Sequence, residues 1–291
     1  MNTNTTTSTV TAREAAEVAA ANASGKQPVV FVHGLWLLPS SWAGWRTFFE
    51  ERGFATVAPD WPDDAATVDE AREHPERFAK KSVGQVADHL EEVIRGLDRK
   101  PVIIGHSFGG LLTQILAGRG LGVAAVAIDP APSRGVLPLP FSSLKGAFPV
   151  LGNPVNYGRA VTLTFEEFQY GFANAVPEDE ARRLYDEFHV AASGRPLFQA
   201  ATANLNPFTE VKADKRNPER GPMLVVSGEN DNIVPWAMAN AAYKLQRKNE
   251  KSVTEITEIP GRGHSLVIDA GWSEVAQTSL DFLERNGVRP A

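Results

Sequence analysis

Short apolar runs alternate with longer amphipathic segments along most of the chain. Six runs rich in Val, Ile and Leu stop at or just before a glycine, proline or aspartate, as strands that lead into turns do. Most of these runs are continuously apolar, which is typical of strands covered on both faces. Their alternation with helices predicts an α/β fold with a mostly parallel β-sheet flanked by helices. The predicted strands are 28–32, 54–58, 101–105, 123–128, 222–226 and 253–259.

Helical spacing is clearest in 83–97, where Val83, Val86, Leu90 and Val93 share one face and charged residues occupy the other. The apolar and aromatic patterns of four more segments also favour helices. These segments are 41–52, 108–117, 236–247 and 272–285.

The stretch from 131 to 217 interrupts this alternation. It contains no convincing strand and is rich in proline and aromatic residues. Helices are predicted at 164–174 and 178–192, and the second begins with acidic residues that suit the helix dipole. We therefore predict a helical cap (lid), inserted late in the sheet, at 131–215. The sheet core is predicted to consist of 25–130 and 216–291.

Residues 1–24 form a Thr-rich and then Ala-rich stretch ahead of the first predicted strand. Its apolar part is interrupted by Arg13, Glu14 and Glu17, which makes it a poor signal peptide. We predict a disordered tail or a short surface helix here. No segment approaches the ~20 apolar residues that a membrane span needs, so no span is expected and a cytoplasmic location is favoured.

Composition narrows the possible functions. Hydrophobic residues make up 43% and charged residues 22% of the 291 residues, as in ordinary globular proteins. The formal net charge of −6 argues against a nucleic-acid partner, which would require a surplus of Lys and Arg. The absence of cysteine excludes disulfides, a thiolate nucleophile and cysteine-ligated zinc.

A G-x-S-x-G motif, Gly105-His106-Ser107-Phe108-Gly109, lies directly between a predicted strand and a predicted helix. A serine in such a sharp turn projects its hydroxyl above the sheet edge, beside N–H groups that can stabilise an oxyanion. Ser107 is therefore the predicted nucleophile, and His106 is expected to pack within the turn or to line the substrate pocket.

A serine nucleophile needs a base, and the base needs an acid that orients it. His264, in a glycine-flanked loop after the last predicted strand, is the predicted base. Asp231 follows the fifth predicted strand and is the predicted acid, which gives the chain order Ser, acid, His. Asp129, at the end of the fourth strand, is the competing candidate for the acid.

The remaining histidines suggest no metal chemistry. His74, His89 and His189 occur in charged helical or loop contexts and are expected to be solvated. The chain contains neither H-E-x-x-H nor H-x-x-x-H, and it lacks the glycine-rich dinucleotide and P-loop motifs. We therefore predict neither a metal ion nor a cofactor.

The segment His33-Gly34-Leu35-Trp36 follows the first predicted strand and could complete an oxyanion hole. The predicted donors are the backbone N–H groups of Phe108 and Leu35, with Trp36 as the alternative to Leu35. The segment could also be a simple strand-to-helix turn. His33, Trp36, His106 and Trp236 are the candidate pocket walls.

These motifs, in this order, resemble those of the α/β-hydrolase superfamily. The matching pieces are 33–36, 105–110, 228–235 and 263–264, so the resemblance covers nearly everything after the N-terminal stretch. It implies a mainly parallel eight-stranded sheet with a cap between the sixth and seventh strands. The first two strands, a hairpin in that family, would precede Gln27, where no hairpin is predicted. The sheet is therefore expected to be shortened at that edge.

The resemblance also implies an activity. Haloalkane dehalogenases and epoxide hydrolases of this superfamily use an aspartate nucleophile, so Ser107 disfavours them. The leading prediction is a serine esterase or lipase that cleaves small-molecule carboxylic esters through an acyl-enzyme. The alternatives are a cofactor-free haloperoxidase or perhydrolase, a C–C bond hydrolase, and a hydrolase-fold sensor of small molecules.

Overall fold

The computed structural model describes residues 10–290. Eight strands occur in this part of the chain, and six of them form the main sheet. In chain order the strands are β1 (Pro28–Val32), β2 (Ala55–Val57), β3 (Val102–His106), β4 (Ala124–Ile128), β5 (Ala160–Val161), β6 (Ala192–Ser193), β7 (Met223–Gly228) and β8 (Thr254–Ile259).

The main sheet has the order β2-β1-β3-β4-β7-β8, and every neighbouring pair is parallel. All residues of β1, β3, β4 and β7 are buried, as their continuous apolar runs predicted. The six strands predicted from the sequence are these six, with ends shifted by up to two residues. The predicted α/β fold with a mostly parallel sheet is confirmed.

Helices cover both the sheet and the segment inserted into it. The α-helices are α1 (Ala12–Ser24), α2 (Ala43–Glu50), α3 (Val68–Glu73), α4 (Val83–Arg95), α5 (Phe108–Gly118), α6 (Phe141–Leu151), α7 (Phe165–Gly171), α8 (Glu178–Phe188), α9 (Arg195–Thr202), α10 (Trp236–Gln246) and α11 (Trp272–Arg285). Short 3-10 helices lie at Pro39–Trp42, Pro75–Phe78 and Pro154–Gly158.

Helix α1 precedes β1, in the place where the family resemblance implied a hairpin. Its start is fixed by a capping box in which Thr11 and Glu14 exchange hydrogen bonds. It is not simply a surface helix, because Glu14, Val18 and Ala21 are buried. The Nε2 atom of His89, on α4, lies 2.9 Å from the Glu14 carboxylate. The expectation that His89 is solvated is wrong, since the buried carboxylate needs a polar partner.

The inserted segment runs between β4 and β7 and contributes no strand to the main sheet. Helices α6 to α9 dominate it, although α6 and α9 were not predicted. The expectation that it lacks strands is also wrong, because β5 and β6 pair antiparallel with Ala160 opposite Ser193. Two-residue strands are too short to leave a period in the sequence.

His189 lies at the end of α8 and is buried, contrary to the expectation that it is solvated. Its Nε2 accepts a hydrogen bond from the backbone N–H of Leu163, and its ring stacks on Tyr185 with centroids 4.5 Å apart. Burial lowers the pKa of His189 to about 3, so the ring is neutral at neutral pH. His74, by contrast, is half exposed as expected.

Among residues 10–290, every helix is too short or too polar to cross a membrane.

Candidate active site

Ser107 occupies the sharp turn between β3 and α5. Its φ of 57° lies in a region that non-glycine residues rarely adopt, and its N–H donates to the Ile128 carbonyl at the end of β4. The turn requires small neighbours. A Cβ on Gly105 would collide with the Gly109 carbonyl, and a Cβ on Gly109 would collide with the Val32 carbonyl. The glycines of the motif therefore let the serine turn pack directly on β1.

The structure brings Ser107, His264 and Asp231 into one chain of hydrogen bonds. The Ser107 hydroxyl lies 2.9 Å from His264 Nε2. His264 Nδ1 lies 2.6 Å from Asp231 Oδ2, so this nitrogen carries the proton and donates to the carboxylate. Both the imidazole and the carboxylate are buried. The arrangement can transfer the serine proton to a base that a carboxylate orients.

Asp231 is held by the loop that follows β7. Its Oδ1 accepts the backbone N–H groups of Ile233 and Val234, at 2.6 and 2.8 Å. Its other oxygen is thereby aimed at His264. This loop also contacts the inserted segment, where the side-chain amide of Asn174 donates to the Asn230 carbonyl.

Asp129, the competing acid, lies at the end of β4 and is buried. One of its oxygens accepts the Gly228 N–H at 2.8 Å, and the other has no donor among the described residues. Burial and the neighbouring charge of Asp231 raise the pKa of Asp129 well above its ordinary value. Asp129 therefore makes no hydrogen bond to the histidine, whereas Asp231 does.

The His264 ring is packed between His106 and Phe172. The Phe172 ring meets it edge-on at 4.9 Å between centroids, and the His106 ring lies 4.6 Å away on a tilted plane. Burial and the nearby His264 hold the pKa of His106 well below its ordinary value. The Phe172 carbonyl accepts the N–H of Ser265, so the inserted segment also holds the loop that contains His264. In the sequence, Phe172 is one of several aromatic residues of the inserted segment, and no motif distinguishes it from the others.

The loop after β1 lies against the serine turn. A Cβ on Gly34 would lie 2.9 Å from the His106 carbonyl oxygen and 3.0 Å from Ser107 Cβ, so only glycine allows this approach. Phe108 begins α5, and the first N–H groups of a helix lack acceptors within it. Trp36 has a φ of 64° and its indole N–H donates to the Val161 carbonyl. Leu35 is buried beside it.

A cavity of about 190 Å³ is lined by Ser107 and His264 together with mainly apolar side chains. Besides the serine turn and the loop with His264, its walls come from the loop after β1, the inserted segment, and the loop and helix that follow Asp231. Representative lining residues are Phe108, Val136, Leu144, Leu197, Ile233 and Met238. The hydrophobic residues directly after Asp231 in the sequence could have suggested the third wall.

Of the candidate pocket walls, the structure places Trp36 on this cavity. His33 and His106 are buried outside its lining, and Trp236, at the start of α10, is partly exposed outside it. The His33 ring stacks on Trp61 and its Nδ1 donates to the Gly34 carbonyl. Burial lowers the pKa of His33 to about 4. His33 therefore supports the loop after β1 from a buried position outside the cavity lining.

A metal ion would find one group of candidate ligands in residues 10–290: His106, Asp129 and His264, whose ligand atoms lie within 4.8 Å of one another. His264, however, already uses both ring nitrogens in hydrogen bonds to Ser107 and Asp231. The group therefore fits the serine chemistry better than it fits metal binding.

Comparisons with known proteins show the family to which the chain is similar. A model of the alpha/beta hydrolase family matches residues 29–278. A non-heme chloroperoxidase from Burkholderia pyrrocinia is 26% identical over 273 residues, covering 83% of this chain and 86% of that protein.

Two solved structures show the same fold. A monoacylglycerol lipase from Paleococcus ferrophilus has a TM-score of 0.62 at 20% identity, covering 90% of this chain and 98% of that chain. A pyrethroid hydrolase from Sphingobium faniae JZ-2 also has a TM-score of 0.62, at 15% identity, covering 89% and 97% respectively. Since the family model matches far more than half of the sequence, the chain belongs to the alpha/beta hydrolase family.

Proposed function

We propose that the protein is a serine hydrolase that cleaves carboxylic esters through an acyl-enzyme. The observation that carries this proposal is the chain of hydrogen bonds from Ser107 through His264 to Asp231, at the wall of an apolar cavity. Ser107 is the nucleophile, His264 the general base and Asp231 the acid that orients it. The segment 131–215 acts as a cap that supplies much of the cavity.

In the acylation step, His264 Nε2 takes the hydroxyl proton as Ser107 Oγ attacks the ester carbonyl carbon. Asp231 stabilises the imidazolium that forms. The negative oxygen of the tetrahedral intermediate is stabilised by the N–H of Phe108 and by that of Leu35, with Trp36 as the alternative donor. As the intermediate collapses, the bond to the leaving oxygen breaks and His264 returns the proton to the departing alcohol.

In the second step, a water molecule replaces the alcohol. His264 takes a proton from the water as its oxygen attacks the acyl carbon, and then returns that proton to Ser107 Oγ. The carboxylic acid leaves and the free hydroxyl is restored. The mainly apolar lining favours acyl groups that are short to medium in length, or aromatic, over polar ones.

The test is hydrolysis of p-nitrophenyl esters from acetate to dodecanoate by the wild type and by Ser107→Ala. Loss of the nucleophile is expected to lower kcat by about 10³-fold or more. Ser133→Ala is the matched control, because Ser133 also lines the cavity but has no hydrogen-bond partner for its hydroxyl among the described residues. It should retain activity within a few-fold. Persistent turnover by a folded Ser107→Ala protein would refute the proposal.

A perhydrolase is the second candidate, and the similarity to a non-heme chloroperoxidase favours it. In this reaction hydrogen peroxide, instead of water, attacks the acyl-enzyme, so that a peracid leaves and the serine hydroxyl is restored. Bromination of a dye in the presence of acetate, peroxide and bromide measures this activity. Bromination that exceeds ester hydrolysis and disappears in Ser107→Ala would favour the perhydrolase over the esterase.

A further inference from the structure

Helix α6 exposes large apolar side chains to solvent. Phe141, Leu144 and Phe148 are spaced three and four residues apart, which places them on one face of the helix. Leu137 and Leu139 lead into the helix. These five residues, here called the apolar rim, are between 43% and 80% exposed. Isolated exposed leucines are ordinary on protein surfaces, whereas a cluster of large apolar side chains marks an interaction surface.

The apolar rim is continuous with the cavity that contains Ser107. Leu137, Leu139 and Leu144 line the cavity as well as being exposed to solvent. Phe141 and Phe148 extend the same helix face beyond the cavity lining. A molecule held on the rim would therefore lie next to the entrance that leads to the serine.

The two chain segments that form and flank the rim carry only positive charge, whereas α7, which packs against α6, begins with Glu166 and Glu167. Residues 130–165 contain Arg134, Lys145 and Arg159 but neither aspartate nor glutamate. Residues 188–209, which include α9 on the same cavity, contain Arg195 and again no acidic residue. The whole chain has a net charge of −6, so the acidic residues are concentrated elsewhere.

Exposed aromatic and aliphatic side chains beside basic ones are the features of surfaces that lie on anionic lipid layers. We propose that the apolar rim docks the protein on the surface of an anionic lipid layer, a bilayer or a micelle. The apolar side chains enter the headgroup region, and Lys145, on the same helix, attracts the headgroups. Docking itself does not depend on the proposed ester hydrolysis. The benefit of docking does depend on that hydrolysis, because substrates of the docked protein would enter the cavity directly from the lipid.

Vesicle binding tests the docking step apart from catalysis. Full-length Ser107→Ala protein is sedimented with sucrose-loaded vesicles of phosphatidylcholine, either alone or with one quarter phosphatidylglycerol. We expect binding to the mixed vesicles that weakens as salt is raised, because screening reduces the attraction of the headgroups. Adding Phe141→Ser and Phe148→Ser together should weaken binding by at least tenfold, and Lys145→Glu should also weaken it.

Matched controls lie away from the rim. Val253→Ser removes a half-exposed apolar side chain just before β8, and Lys26→Glu reverses an exposed charge just before β1. Both should leave vesicle binding unchanged. In the wild-type background, the double phenylalanine variant should still hydrolyse soluble p-nitrophenyl acetate, since neither phenylalanine lines the cavity.

Three results would overturn the proposal. The first is absence of binding to the mixed vesicles, and the second is binding that the rim variants do not weaken. The third is a concentration-dependent dimer, detected by sedimentation velocity, that the double variant abolishes, because the rim would then be an interface between two copies of the chain. Equal binding to both kinds of vesicle would refute the role of the anionic headgroups. Since the protein used is Ser107→Ala, none of these results depends on ester hydrolysis.

Discussion

Two buried aspartates stand near His264, and their hydrogen bonds distinguish them. Asp231 accepts two backbone N–H groups and the histidine N–H, so its negative charge is fully satisfied. Within residues 10–290, Asp129 accepts only the Gly228 N–H, and its pKa is raised by burial and by the charge of Asp231. Chain order favoured Asp231 in the sequence. The state of Asp129 could not be predicted, because it depends on the packing of β4 against β7.

Asparagine substitutions should separate the two residues. Asp231→Asn removes the carboxylate that is proposed to orient the base and should lower kcat by about 10⁴-fold, as expected when the acid of such a triad is lost. Asp129→Asn keeps the shape of the side chain and an oxygen that can accept the Gly228 N–H, so it should keep kcat within a few-fold. Steady-state hydrolysis of p-nitrophenyl acetate measures both. A loss in Asp129→Asn as large as that in Asp231→Asn would mean that Asp129 acts as an ion.

Asp129 should also affect how stability varies with pH. Its folded pKa is raised, so between pH 4 and that pKa the folded state binds a proton that the unfolded state has lost. Stability from this group is therefore present at low pH and declines as pH rises, by about 1.4 kcal/mol per pH unit at most. In Asp129→Asn this pH-dependent loss of stability is absent. The free energy of unfolding of the variant, relative to that of the wild type, should therefore increase from pH 4.5 to 7.5, as measured by urea unfolding. Asp98→Asn, at an exposed position, is the control. Its free energy of unfolding should differ from that of the wild type by the same amount at every pH in this range.

Helix α1 is attached to the core through a buried carboxylate. The Glu14 side chain accepts hydrogen bonds from the backbone N–H groups of Thr11 and Asp60 and contacts His89. Burial alone would raise the pKa of Glu14, but the hydrogen bonds from His89 and Thr11 outweigh it and lower the pKa. The helix is thus joined to α4 and to the segment after β2.

Glu14→Ala would remove the buried carboxylate that accepts the Thr11 and Asp60 N–H groups and contacts His89. Losing one partner of a buried hydrogen bond costs about 1–3 kcal/mol, so the free energy of unfolding should fall by at least that amount. Urea denaturation followed by circular dichroism measures the change. Glu73→Ala, on the exposed surface of α3, should change stability by less than about 0.5 kcal/mol. A similarly small effect for Glu14→Ala would show that α1 contributes little to stability.

The elements that the sequence predicted well are those whose pattern is local. The six main strands are continuous apolar runs, and α4 has clear helical spacing, so each is visible in its own residues. Helix α6 was missed because Gly146 and Pro149 lower its intrinsic helix propensity and its exposed face is apolar. Its contacts with α7, α9 and the neighbouring 3-10 helix favour it, and these are not visible in the sequence.

At the scale of the whole molecule, the position of the site was predictable and its shape was not. Parallel strands bring the loops after β3, β7 and β8 to one edge of the sheet, so Ser107, Asp231 and His264 could be grouped from the order of their motifs. The cavity depends on how the inserted segment folds over that edge. His33, His106 and Trp236, which were predicted as pocket walls, therefore lie outside the cavity lining.

Filling the cavity should shift the preferred length of the acyl chain. Ala147, on α6, lines the cavity, and Ala147→Phe adds a ring where longer acyl chains would lie. The variant should keep most of its activity on p-nitrophenyl acetate but lose tenfold or more on the octanoate, as measured by kcat/KM. Ala16→Phe, on the exposed side of α1, is the control and should leave the ratio unchanged. An unchanged ratio in Ala147→Phe would mean that the acyl group binds elsewhere.

The short stretch from Phe172 to Asn174 bonds to both loops that carry the proposed acid and base. The Phe172 carbonyl accepts the Ser265 N–H, and the Asn174 amide donates to the Asn230 carbonyl. The inserted segment is therefore not an interchangeable module. A chimera that took this whole segment from a relative would change substrate preference and the alignment of the catalytic groups together. Substrate preference could be transferred without disturbing the alignment of the catalytic groups only if the native residues 172–174 were kept.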